Sequence, residues 1–111
     1  MPNIAFVNGR FMPLAEARIS VEDRGFQFGD GIYELIRTYG GQLFHLTDHL
    51  ERLEQSARAI GLPIVYSKSR WKAVLEKAHT RSGYPDAKVY IQITRGAAPR
   101  DILFPKKSMP V

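Results

Sequence analysis

The strongest constraint on this chain is the strict alternation of Gly31–Tyr39, closed by the pair Gly40-Gly41. Tyr33, Leu35, Arg37 and Tyr39 fall on one side, and Ile32, Glu34, Ile36 and Thr38 on the other. A period of two is what an extended strand presents to a core, and no helix reproduces it. The glycine pair predicts a turn, with residues 42–46 as the returning strand. An earlier hairpin is signalled by Ile4–Val7, the turn Asn8-Gly9, and residues 10–12 before Pro13. Asn-Gly suits a two-residue hairpin because both turn positions need positive φ. The stretch 15–30 shows no helical period and reads as an irregular connection, with Phe26 and Phe28 expected to pin it to the core.

Helices come only after the two hairpins. Thr47 is expected to cap the first, with Asp48 in the first turn where the helix dipole favours negative charge. Leu46, Leu50, Leu53, Ala57 and Ile60 recur at helical spacing, and Gly61 followed by Pro63 ends the element. A second helix starts near Ser67 or Ser69, carries Trp71, Val74, Leu75 and Ala78 as its apolar stripe, and ends around Ser82-Gly83. Lys88–Thr94 alternates again with Val89, Ile91 and Ile93 inward, and the rest of the chain is irregular. Strands first and helices in one block predict an α+β two-layer sandwich, an antiparallel sheet with two helices on one face. Leu50, Leu53, Trp71, Leu75 and Ile91 are the expected core.

At 111 residues the chain has material for one domain. It contains no cysteine, which removes disulfides, thiolate metal sites and cysteine nucleophiles. No window supplies the roughly 20 apolar residues of a membrane span, and the start lacks a signal-peptide pattern, so a cytoplasmic protein is expected. The formal charge is +5. The basic residues are scattered among acids, which argues against nucleic acid and suits a small anionic ligand.

Three groupings could carry chemistry. Tyr33 and Arg37 share a strand face, where a phenol and a guanidinium could hold a carboxylate; a surface arginine lying against a half-buried tyrosine fits the same spacing. His49 and Arg52 are helix neighbours at i and i+3, and an arginine near a helix start can hold a phosphate; a solvated helix face fits that spacing too. Arg95 and Arg100 flank a Gly-containing connection at a strand end, where binding residues often sit. Asp48 and His49 lack the further ligands a metal site needs, so no metal is expected. No phosphate loop and no Gly-x-Ser-x-Gly is present.

Longer strings are more specific. The segment Glu22-Asp23-Arg24-Gly25-Phe26-Gln27-Phe28-Gly29-Asp30-Gly31-Ile32-Tyr33-Glu34 resembles EDRGYQFGDGVYE of D-amino-acid (D-alanine) aminotransferases. His49-Leu50-Glu51-Arg52-Leu53 resembles that family's H-x-x-R-L helix, and Gln92-Ile93-Thr94-Arg95-Gly96, with Pro99-Arg100 and Phe104-Pro105, its QVTRG…PR…FP region. The three occur in family order and span essentially the whole chain.

The resemblance places the chain in the fold-type IV group of pyridoxal-phosphate enzymes. It implies a homodimeric aminotransferase moving an amino group between a D-amino acid and a 2-oxo acid. Arg52 would contact the cofactor phosphate, with His49 in support. Tyr33 would meet the substrate carboxylate, and Arg100 would reach into the partner subunit's site to hold it. Two departures stand out. Ile102 occupies the position of a family histidine that completes the carboxylate grip, and isoleucine offers no hydrogen bond. The family's Schiff-base lysine lies in a C-terminal domain beyond residue 111, and Lys106-Lys107, an adjacent pair after Pro105, reads as solvated. Residues 1–111 are therefore expected to be the N-terminal small domain alone, inactive without its partner domain. Other readings within reach are a non-catalytic binding module, or branched-chain, aminodeoxychorismate lyase or (R)-amine transaminase specificity.

Overall fold

A computed structural model describes residues 3–111. The first hairpin pairs β1 (Ile4–Val7) with β2 (Arg10–Pro13). Its turn residues Asn8 and Gly9 have φ of 49° and 87°, as an Asn-Gly turn requires. A single 3-10 turn, Leu14–Glu16, follows. Next come α1 (Arg24–Phe28), β3 (Gly31–Tyr39), β4 (Gln42–Leu43), α2 (Leu46–Ala59), α3 (Lys68–Ser82) and β5 (Lys88–Thr94). The β1–β2 ribbon stands apart from a three-stranded antiparallel sheet in the order β4-β3-β5. In that sheet β3 pairs with β5 from Gly31 opposite Thr94 to Arg37 opposite Lys88. The expected α+β sandwich of an antiparallel sheet and helices is what forms.

The alternation along β3 sets the layers. Ile32, Glu34, Ile36 and Thr38 are buried, while Tyr33, Leu35, Arg37 and Tyr39 are exposed. Leu50, Leu53 and Ala57 of α2, Leu75 of α3, Leu62, and Ile91 and Ile93 of β5 complete one core with Ile32 and Ile36. Trp71, expected in that core, is only partly buried. Its ring packs edge-on to Tyr66 at 5.0 Å, and Tyr66 in turn faces Phe6 of β1, so the indole seals the junction between α3 and the ribbon.

Several expected boundaries shift. The strand expected over residues 42–46 is limited to Gln42–Leu43. After Phe44 donates its N–H to the Arg37 carbonyl, His45 takes a left-handed conformation (φ 52°) and turns the chain into α2. His45 therefore occupies the cap position without a side-chain cap bond, and Thr47 lies inside the helix. Asp48 is in the first turn as expected, with His45 Nδ1 3.1 Å from its carboxylate. Ser67 caps α3 by accepting the Arg70 N–H, and left-handed Gly83 ends it.

The stretch 15–30 is not wholly irregular. Asp23 caps α1, its Oδ1 accepting the Gly25 N–H at 2.8 Å, and Gly29 closes it with φ 65°. Phe26 and Phe28, expected to be buried, are 70% and 39% exposed. The reason is that α1 packs through its glycine: a Cβ at Gly25 would lie 2.1 Å from Thr94 Cγ2 of β5. With the small side turned inward, both aromatics face outward. Among the described residues no helix is long and apolar enough to cross a membrane.

Candidate active site

His49 and Arg52 lie on one face of α2, and the Leu50 and Leu53 contacts to the core turn that face toward the inner side of β3. There they meet Glu34, a carboxylate only 4% exposed. Arg52 donates from Nε and Nη2 to Glu34 Oε2 and Oε1, both at 2.9 Å, a forked geometry that fixes the guanidinium plane. His49 Nδ1 lies 2.7 Å from Oε1. An ionised carboxylate only accepts, so Nδ1 carries the hydrogen and Nε2 faces away from Glu34.

Burial pushes the Glu34 carboxyl up, but the hydrogen bonds from Arg52 and His49, with their charges, outweigh it and hold it below its ordinary 4.5. Glu34 hydrogen bonding raises Arg52 in return. A carboxylate with a lowered folded-state pKa contributes stability that is complete above its unfolded value and lost as pH falls through the folded one. Asp30, held below its ordinary 3.8, acts with the same sign. Burial pushes Asp30 up too, and hydrogen bonds from Arg24 and Arg95 win. Urea midpoints are therefore expected to be level between about pH 5 and 7, and to fall progressively below about pH 4.5. A midpoint that rises on acidification through that window would contradict the pairing.

Arg52 is two-thirds exposed, and its Nη1 makes no hydrogen bond among the described residues. One edge of the guanidinium is thus anchored and the other is open, an arrangement that can receive an anion. Tyr33, on the outer face of β3, stacks on Tyr90 of β5 at 5.9 Å. Arg37 shares that face but lies over Tyr39, 5.8 Å from the ring centre. Arg100 sits apart on the irregular segment after β5, exposed, 5.7 Å from the centre of the Phe28 ring. The structure thus joins His49 and Arg52 through Glu34, turns Tyr33 onto the other face of β3, and keeps Arg100 separate.

Sequence reasoning missed Glu34 as the partner of both α2 residues. The signal was present: an acid at an inward position of an alternating strand must find a cation, because an unpaired buried charge is costly. It also missed a second cluster, in which Arg24 and Arg95 donate through Nε to Asp30 Oδ2 at 2.8 and 2.9 Å. All three side chains are at most 6% exposed.

Residues 31–111 match the sequence profile of the family described as amino-transferase class IV. The chain belongs to that family. It is 44% identical over 100 residues to the D-alanine aminotransferase of Staphylococcus epidermidis (strain RP62A), an alignment covering 90% of this chain and 36% of the relative. Among solved structures it is similar to the Escherichia coli branched-chain amino acid aminotransferase, with a TM-score of 0.86, 20% identity, and coverage of 93% of this chain and 35% of the other. The branched-chain aminotransferase of the archaeon Thermoproteus uzoniensis, solved with norvaline, gives a TM-score of 0.82 and 25% identity over 99% of this chain and 38% of that one. At those identities the two structures speak to the fold. The chain spans about a third of the length of the relatives it matches.

Proposed function

We propose that this chain forms the N-terminal small domain of a pyridoxal-phosphate-dependent aminotransferase that exchanges an amino group between a D-amino acid and a 2-oxo acid. The observation that carries the reading is Arg52, clamped by buried Glu34 on one edge and open on the other; the sequence resemblance matches it to the family's phosphate-contacting arginine. A guanidinium already held in one plane loses little freedom when it takes a phosphate, so the residues present fit the cofactor. His49 supports Arg52 by sharing the Glu34 carboxylate. When bound, the cofactor supplies an electron sink for negative charge at the substrate α-carbon.

Tyr33 and Arg100 are the residues that would hold the substrate carboxylate, Arg100 from a partner subunit in a homodimer. Ile102, 81% exposed, replaces a polar contact with an apolar surface. The D-amino-acid assignment rests on the Glu22–Glu34 string and on the identity to a D-alanine aminotransferase. We place the enzyme in the cytoplasm, acting on small molecules rather than on a membrane or nucleic acid.

In the complete enzyme, Arg52→Ala is expected to weaken cofactor retention on dialysis by tenfold or more, with a smaller change in the ranking of amino-acid substrates; Arg52→Lys should fall between. Unchanged retention would remove the phosphate role. The 111-residue chain alone is expected to show no turnover. Lys68, Lys72, Lys77, Lys88, Lys106 and Lys107 are all exposed, so none is held desolvated in a pocket as a Schiff-base lysine must be. Incubation with pyridoxal phosphate, borohydride reduction and intact mass measurement should give no single stoichiometric adduct. One adduct on one lysine, with turnover, would overturn that expectation.

A further inference from the structure

The buried Arg24–Asp30–Arg95 cluster has more donors than one carboxylate can use, and the surplus reaches two distant parts of the chain. Arg95 donates to the carbonyls of Ile60 and Gly61, at 2.7 and 3.3 Å, where α2 ends. Arg24 donates to the carbonyl of Asp101 and, more weakly at 3.5 Å, to that of Ile102. The Phe104 ring lies over the Arg95 guanidinium at 3.8 Å, and Arg24 sits 4.8 Å from the centre of Phe28. The other side of this array is Arg100, also beside Phe28. Segment 99–104 has few backbone hydrogen bonds of its own; the Leu103 N–H donates to a local acceptor, the Asp101 carboxylate. The flanking chain is tied by the Ala98 N–H donating to the Glu22 carbonyl and by the Val111–Thr94 backbone pair, and between those ties the segment is held by the two arginines beneath it.

We propose that Arg24, Asp30, Arg95, Phe28 and Phe104 are positioning residues that fix the Arg100 loop relative to the end of α2. The helix that presents Arg52 and the loop that presents Arg100 are anchored on the same Asp30 oxygen, one through each arginine. The fork geometry matters as much as the charge: a lysine at position 24 would keep the positive charge but could not bond Asp30 and two carbonyls in one plane. The functional half of this inference rests on the reading that Arg100 binds the substrate carboxylate.

Two measurements separate the halves. In the 111-residue chain, trypsin cleavage after Arg100 is followed by mass for Arg24→Lys and for Phe104→Leu, the latter altering a ring that is 60% exposed and outside the core. Cleavage is expected to rise tenfold or more in the first and severalfold in the second, with Phe104→Leu leaving the urea midpoint in place. Rates unchanged in both variants would overturn the anchoring. In the complete enzyme, Arg24→Lys is expected to raise KM for the amino acid about tenfold with kcat within twofold, and combining it with Arg100→Gln should add little beyond Arg100→Gln alone. If Arg100→Gln leaves KM unchanged, the carboxylate reading and the functional half fall together while the anchoring stands. If Arg100→Gln raises KM and Arg24→Lys does not, the positioning role is overturned and the carboxylate reading survives.

Discussion

Asp30→Ala is expected to destabilise the chain by about 3–5 kcal/mol, the usual cost of removing one partner from a buried ion pair. The carboxylate is the counter-charge of two guanidiniums that are themselves at most 5% exposed. Removing it leaves like charges facing each other across a site from which water is largely excluded. A domain of this size has a total stability of about 5–15 kcal/mol, so the variant should be close to unfolding at about 37 °C. Asp30→Asn keeps an acceptor and should cost less. Urea unfolding at neutral pH measures both. The difference from the parent should also shrink in acid, because protonating Asp30 removes from the parent what the substitution removes. A loss within about 0.5 kcal/mol, typical of surface changes, would mean that the cluster is hydrated and contributes little.

The second large effect is expected at Leu53. This side chain is 3% exposed and lies between the inner face of β3 and the residues of α3 and β5 that close the core. Leu53→Ala should cost about 2–5 kcal/mol through lost burial and the cavity left behind. The change also sits next to Arg52, so stability and cofactor retention should be measured separately: a loss of folding without a change in the Glu34–Arg52 pairing would mark a packing effect. A near-neutral result would mean that the α2 face is wrongly assigned.

What the sequence revealed depended on how far each signal extends along the chain. The nine-residue alternation of β3 and the leucine spacing of α2 repeat often enough to be read, and both elements form where their patterns lie. The five residues of α1 are too few to show a period, and its markers are an Asp at the cap and a Gly just past the end. The start of α2 is hidden in the sequence because His45 adopts a left-handed conformation usually left to Gly or Asn, which makes Thr47 the more obvious cap. Of the site, His49 and Arg52 were visible as helix neighbours, but their shared partner Glu34 lies on a different element. The Arg24–Asp30–Arg95 contact was harder still, since it joins residues on either side of two helices. Family strings marked those residues without showing that they are buried.

The alternation of β3 also governs which changes of length the chain can survive. Tyr33 and Glu34 are consecutive, yet one faces outward beside Tyr90 and the other inward beneath α2. A substitution at either position alters one face only. An insertion or deletion of a single residue within the strand would exchange the two, exposing the carboxylate that holds Arg52 and burying the phenol. The Gly40-Gly41 turn lies past that alternation with open space around both glycines, so a change of length there leaves the two faces of β3 in place. Homologues that differ in length here should carry the difference in that turn, with the span from residue 31 to residue 37 kept whole.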